Sequence, residues 1–241
     1  MTRWVTLAAS MIAIHLPQVA RPAENPDLAA LIADAESRRS ANVREVRSVR
    51  QYVLRNPRWQ TDALMQATMV TSGDGNKRYE INHTNAEGMR EKILIRILDG
   101  EVEAAAKKDR DGNINSVNYE LRPIQATAGD RHTCSAVELV PRKRTRFTFD
   151  GRGCIDMKDM AMVRMEGRTA KRISFLIGRA DVIQEFRKVG NFWYSSTSRS
   201  AADVRFLGRM ELIIRYLDYT ITSKTGAIVT AQFDRIIAPG Y

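Results

Sequence analysis

Histidine is the scarcest chemical resource of this chain. There are three in 241 residues, His15, His83 and His132, and they lie far apart. No pair has metal-ligand spacing, so a zinc site or a histidine-based triad is not expected. Glycine-rich phosphate loops after a strand and the Gly-x-Ser-x-Gly elbow are both missing. Acidic residues are plentiful, but none forms a recognisable catalytic pair. The resulting expectations are no catalytic residues, no metal and no cofactor, and a protein that binds without performing chemistry. One lookalike runs Asp109-Arg110-Asp111-Gly112-Asn113, then Asn115 and Glu120, with calcium-loop spacing. Ile114 holds the position where that loop needs glycine, and no second helix follows, so calcium is not expected.

Long apolar runs are also few. Only the N-terminus carries one: Arg3, then Trp4 to Leu16 with a single polar-ring interruption at His15, then Pro17 and Val19-Ala20. A basic start, a short apolar stretch and small residues are the layout of an export signal over residues 1–20. A buried N-terminal helix is the alternative. No cysteine lies near the cleavage region, which argues against a lipid anchor. The remainder, residues 26–241, is expected to form one domain, since β-rich domains often exceed 200 residues.

There are two cysteines, Cys134 and Cys154. They flank a predicted hairpin with strands Thr133 to Val140 and Thr145 to Asp156. Counting outward from a turn near residue 144 sets them opposite one another, within bridging reach. A disulfide is the expectation in an exported chain, and two buried thiols are the alternative.

Positive charge is in excess, with net charge +10. In an exported protein this favours an anionic membrane surface or an acidic protein over nucleic acid, which is not expected as a partner. The basic residues are dispersed; their one cluster, Pro141 to Arg146, fits a solvated hairpin tip.

The secondary structure is strongly patterned. Asn25-Pro26-Asp27 starts a short helix with Leu28, Leu31 and Ile32 on one side. Ala41 to Arg55 fits helix and strand templates equally, and only Val49 to Leu54 is assigned as strand. Ala63 to Thr71 and Lys77 to Asn82 read as a hairpin about Ser72 to Asn76. Glu87 to Lys107 is an amphipathic helix, with Met89, Ile93, Leu94, Ile97, Leu98 and Val102 at helical spacing. From Asn115 onward the chain alternates. Predicted strands cover Arg144 to Asp150, Met160 to Glu166, Arg172 to Ile177, Val182 to Lys188, Phe192 to Ser198, Arg209 to Asp218 and Ala227 to Ile236. Such close spacing favours an antiparallel meander. The expected class is α+β, mostly β: a curved antiparallel sheet, or half β-barrel, with helices covering its concave side.

Two helices cover little of so wide a face. An uncovered apolar surface lined by Met69, Met89, Ile93, Ile97, Phe147, Phe149, Phe175, Trp193, Ile214 and Tyr216 could hold an acyl chain. An ordinary filled core is the other reading of the same residues.

The element order, with the segments Tyr52 to Trp59, Val137 to Lys143, Val163 to Gly167 and Val189 to Trp193, resembles the LolA/LolB and RseB-like superfamily over roughly Val43 to Ile221. The resemblance implies a periplasmic half-barrel that sequesters acyl chains of lipid or lipoprotein. It also implies an alternative, an RseB-like sensor or envelope-assembly module that binds an envelope protein.

Overall fold

The computed structural model describes residues 27–108, 111–125 and 134–233. The export signal, His15, His132 and the start of the calcium lookalike lie outside the described residues. Among the described residues no helix is long and apolar enough to cross a membrane.

Among the described residues two helices and eleven strands follow in chain order. They are α1 (Leu28–Ser40), β1 (Val43–Arg55), β2 (Ala63–Ser72), β3 (Lys77–Thr84), α2 (Met89–Ala106) and β4 (Tyr119–Pro123). Then come β5 (Ser135–Pro141), β6 (Phe149–Asp156), β7 (Ala161–Thr169), β8 (Asp181–Val189), β9 (Phe192–Val204), β10 (Gly208–Ser223) and β11 (Ile228–Gln232). All strands share one antiparallel sheet in the order β3-β2-β1-β10-β9-β8-β7-β6-β5-β4, with β11 on the far half of β10. The sheet is open, with edges at β3 and β4. This is the expected α+β, mostly β class.

Register shows which residues share a face. One row of directly paired residues runs Thr84, Met65, Tyr52, Ile214, Ser198, Gln184, Met165, Gly153, Val137 and Pro123. A second runs Leu54, Leu212, Ser200, Val182, Gly167, Gly151, Leu139 and Leu121. Paired residues point to the same side, so these rows mark one inner face. Both helices lie on it. A first apolar cluster joins Tyr52, Leu54, Met65, Met69, Met210 and Ile214 to Leu94 and Leu98 of α2. A second joins Leu121, Val137, Leu139, Phe149, Met162 and Met165 to Ala29 and Ile32 of α1. Between the clusters the rows step through Ser198 and Gln184 and through Ser200, Val182, Gly167 and Gly151, so the face is thin at the serines and glycines. Bulges at Val49/Arg50, Cys154/Ile155 and Glu185/Phe186 bend the strands locally.

The helix starts differ in how their free amides are met. Asp27 caps α1, its carboxylate accepting from the amides of Ala29 and Ala30 at 3.0 and 3.2 Å. Arg39, in the last turn of α1, donates to the Asp159 carbonyl at 2.6 Å and pins that end to the β7 side. The helix α2 has Gly88 at its N-cap, which offers no side-chain cap.

Several expectations are corrected. The strand β1 begins at Val43, six residues before the predicted start, because pairing with both β2 and β10 settles a segment whose local pattern was ambiguous. Arg172 to Ile177 is not a strand. The Ser174 hydroxyl accepts from the amides of Leu176 and Ile177, which turns the chain back on itself and leaves a single bridge, Ile177 to Val204. The predicted strand at Arg144 starts only at Phe149, because Thr145 and Thr148 close a turn through their hydroxyls. Phe147 therefore leaves the face it was expected to share with Phe149. The disulfide Cys134–Cys154 is present, with Cα atoms 5.5 Å apart. Its partners are diagonal and not opposite, since Cys154 pairs across the ladder with Ala136.

The sheet is tightest at Gly151 and Gly167, which face each other across β6 and β7. A methyl group at Gly151 would lie 2.0 Å from the Glu166 carbonyl oxygen, and one at Gly167 would lie 2.2 Å from that of Asp150. Only backbone can occupy this seam. Gly151→Ala is expected to cost about 2 kcal/mol or more, as overpacking does elsewhere. Gly100→Ala, in α2 with no atom near the added carbon, should gain up to ~1 kcal/mol. Chemical denaturation of both variants measures the contrast.

Candidate functional site

The position of α2 shapes the inner face. Arg50 sits on β1 two residues before Tyr52, so it also points inward. Its guanidinium is buried, with Nη1 2.8 Å from the Glu101 carboxylate of α2 and the charge 4.8 Å above the Tyr216 ring. Its Nε donates to the Ser48 hydroxyl at 2.9 Å. Lys77 of β3 reaches the same Glu101 carboxylate at 3.4 Å. Burial works against the charge on Arg50, but Tyr216 and Glu101 outweigh it, and the pKa is raised, so the group stays cationic. Two residues earlier, the Tyr79 hydroxyl donates to Asp99 at 2.7 Å. The second half of α2 is thus tied to β1 and β3.

The first half of α2 borders open space. Successive rows of its surface face different surroundings: Leu94 and Leu98 enter the first cluster, while Met89, Ile93 and Ile97 overhang a cleft. The cleft has a volume of about 500 Å³. Its floor is Leu54, Leu212, Met210, Ser200 and Ala202, and its other wall is Ile173, Ile177, Ala180, Val204 and Leu207. Lys92 and Arg96 stand at the lip. The hollow exists because the floor loses bulk at Ser200 and Ala202, just where α2 ends its cover. A volume of this size suits one small apolar ligand or a single chain.

A second hollow, about 530 Å³, lies by β4 and β5. It is lined by residues such as Asp27, Glu120, Arg122 and Arg142, and Glu120 already pairs with Arg122 at 2.8 Å. Its charges are of both signs, unlike the apolar cleft under α2.

Of the ten residues singled out from sequence, Met89, Ile93 and Ile97 line the cleft. Met69 and Ile214 are buried in the first cluster and Phe149 in the second, where its amide donates to the Tyr119 hydroxyl at 3.1 Å. Tyr216 belongs to a stack with Tyr219 and Tyr194, at ring separations of 6.0 and 4.9 Å. Trp193 is held by Asp159, which accepts from its indole at 2.9 Å. Phe147 stands beside Arg146 at the surface. Phe175 is 77% exposed at the tip of the 170–180 loop. Among the described residues no group of histidine, cysteine, aspartate or glutamate could hold a metal ion.

Sequence reasoning missed Arg50, Ser200, Ala202 and the 170–180 loop. For Arg50 a signal was available, since it shares strand parity with Tyr52 and Leu54. For Ser200 and Ala202 there was none, because their contribution is the bulk they lack.

Burial also marks the tyrosines around this site. It pushes Tyr119 and Tyr194 up to about 12 and Tyr219 well above the ordinary phenol value of 10.0. Tyr52 and Tyr216 are raised as well, burial again being the main cause. A raised folded-state value means the phenols contribute stability below pH ~10 and lose it as pH climbs through ~12. Phenolate absorbance should therefore develop late and together with loss of far-ultraviolet circular dichroism. Five of the seven tyrosines are these, so early titration of more than two with the fold intact would contradict this burial.

No family model matches the chain, and no curated protein sequence does. Among solved structures, the chain is similar to a domain described as outer membrane lipoprotein-sorting from Vibrio parahaemolyticus, at 10% identity and a TM-score of 0.45, over 82% of this chain and 92% of that one. It is similar to a LolA superfamily protein from Nitrosomonas europaea, at 9% identity and a TM-score of 0.42, over 78% and 92%. It is also similar to a DUF1329 family protein from Desulfovibrio piger, at 10% identity and a TM-score of 0.41, over 88% and 92%.

Proposed function

We propose that this protein binds an acyl chain of a lipid or lipoprotein in the cleft between α2 and the 170–180 loop, and that it works as a carrier in the periplasm. The observation that carries the reading is an apolar hollow on the sheet face, with Lys92, Arg96 and Ser200 its only polar lining residues. Burying methylenes contributes about 0.8 kcal/mol each. About ten of them therefore supply ~8 kcal/mol, enough to offset an association cost of at least ~4 kcal/mol. No catalytic group is needed for that. The N-terminal apolar stretch and the Cys134–Cys154 disulfide support an exported, oxidising location.

Ser200 and Ala202 offer the direct test. Ser200→Leu and, separately, Ala202→Leu place bulk on the cleft floor away from α2. Each is expected to weaken binding of a fluorescent fatty-acyl probe at least tenfold while the melting temperature stays near that of the parent protein. Unchanged binding in both variants would move the ligand elsewhere.

An anionic membrane is the proposed source or destination of the chain. The 170–180 loop and the β9–β10 turn meet beside the cleft mouth, where the Arg205 amide donates to the Leu176 carbonyl at 2.8 Å. They present Phe175 and Phe206, the latter 80% exposed. Phe206 has φ 70°, a left-handed conformation unfavourable for a bulky residue. Lys171, Arg172 and Arg205 are exposed on the same two segments, and the Arg205 guanidinium lies 5.1 Å from the centre of the Phe206 ring, a mixture suited to an anionic interface. Vesicle flotation should show binding to phosphatidylglycerol vesicles and little to phosphatidylcholine alone. Phe175→Ser combined with Phe206→Ser should abolish it. A protein partner is the second reading, favoured by the unpaired edge of β3, and a stable co-purifying partner without lipid would support it.

A further inference from the structure

The cleft is apolar inside but not electrically neutral at its opening. Lys92 and Arg96 are the only charged residues that line it, and both carry positive charge. They are one turn apart on α2, on the row next to Met89 and Ile93, so both reach the same lip. Among the described residues neither side chain makes an ion pair or hydrogen bond, although seventeen ion-pair contacts join other residues. No carboxylate among the described residues lines the cleft to neutralise them. Elsewhere α2 does spend its charges on partners: Glu101 holds Arg50 and Lys77, and Glu103 meets Lys107.

Two neighbouring, unpaired cations beside a low-dielectric hollow favour a monoanion or dianion fixed to an apolar tail. The hollow's volume suits one chain, and its lip offers two donors for a carboxylate or phosphate. We infer that the ligand is a single-chain anionic amphiphile whose headgroup is held by Lys92 and Arg96 while its chain lies under Met89, Ile93 and Ile97. A solvated pair of long side chains covering apolar surface would also place cations here. The two arrangements differ in one respect: only the first makes affinity depend on the charge of the ligand.

This inference rests on acyl binding in the cleft, and the experiment keeps the two claims apart. Purified protein is titrated with dansyl-undecanoic acid and with its methyl ester, and each probe is then displaced by palmitic acid, methyl palmitate and lysophosphatidic acid. The acid is expected to bind about tenfold more tightly than the ester, with the difference shrinking at high salt. In the double variant Lys92→Ala, Arg96→Ala the acid should lose its tenfold advantage over the ester. Charge-conserving Lys92→Arg should retain it. Tighter displacement by lysophosphatidic acid would assign the headgroup to phosphate, and tighter displacement by palmitic acid would assign it to carboxylate; either supports the inference. Equal affinity for acid and ester overturns the headgroup role while acyl binding stands. Failure of both probes to bind overturns acyl binding itself.

Discussion

A sheet of eleven strands with one apolar face has more surface to cover than two helices can hide. That constraint organises the molecule. Helix α1 covers the β4–β8 side and α2 covers β1 to β3 with part of β10, so each builds its own cluster on the common face. Between them the central strands carry little bulk at several positions that would otherwise need a cover. Ser198, Ser200, Gly167 and Gly151 occupy the seam, and Gly151 and Gly167 meet backbone to backbone. Where the seam meets the first half of α2, the missing bulk becomes a cleft. A face that is apolar, accessible and of limited volume has the shape of a ligand pocket.

Because α2 forms one wall, its anchoring decides the shape of the cleft. The anchor is polar: Arg50 from β1 and Lys77 from β3 converge on Glu101, and Tyr79 holds Asp99. A buried ion pair adds little net stability, since desolvating the charges opposes their attraction. What it adds here is position. An apolar contact would let α2 slide along the face, whereas Arg50 has its donors directed at Ser48, Tyr52 and Glu101 and its plane over Tyr216. The far end of α2 is held in register, and the near end, with Met89 and an uncapped Gly88, is left over the cleft.

Much of this architecture was legible from residue order. Alternation marked the strands of the second half, helical spacing marked α2, and the Asp27 cap marked α1. The failures have local causes. Ile173, Phe175 and Ile177 alternate as a strand does, yet the Ser174 hydroxyl bonds nearby amides and competes with a ladder. Val43 to Ser48 looked ambiguous because its identity depends on two neighbours more than ten residues away. Of the apolar residues picked out for a binding surface, most fill clusters or stand at the surface, since hydrophobicity alone does not distinguish a covered position from an uncovered one.

The sequence by itself determined the helices, most of the extended segments with the side-chain parity inside them, and the excess of cationic over anionic charge. These follow from period, parity and composition, which are properties of neighbours along the chain. Only the tertiary structure decided where the apolar face stays open, that Arg50 would be buried beneath α2, and that Lys92 and Arg96 would stand unpaired at the lip. Those outcomes depend on where two helices and one loop come to rest on a sheet assembled from distant strands. A void has no residues of its own, so no local pattern encodes it.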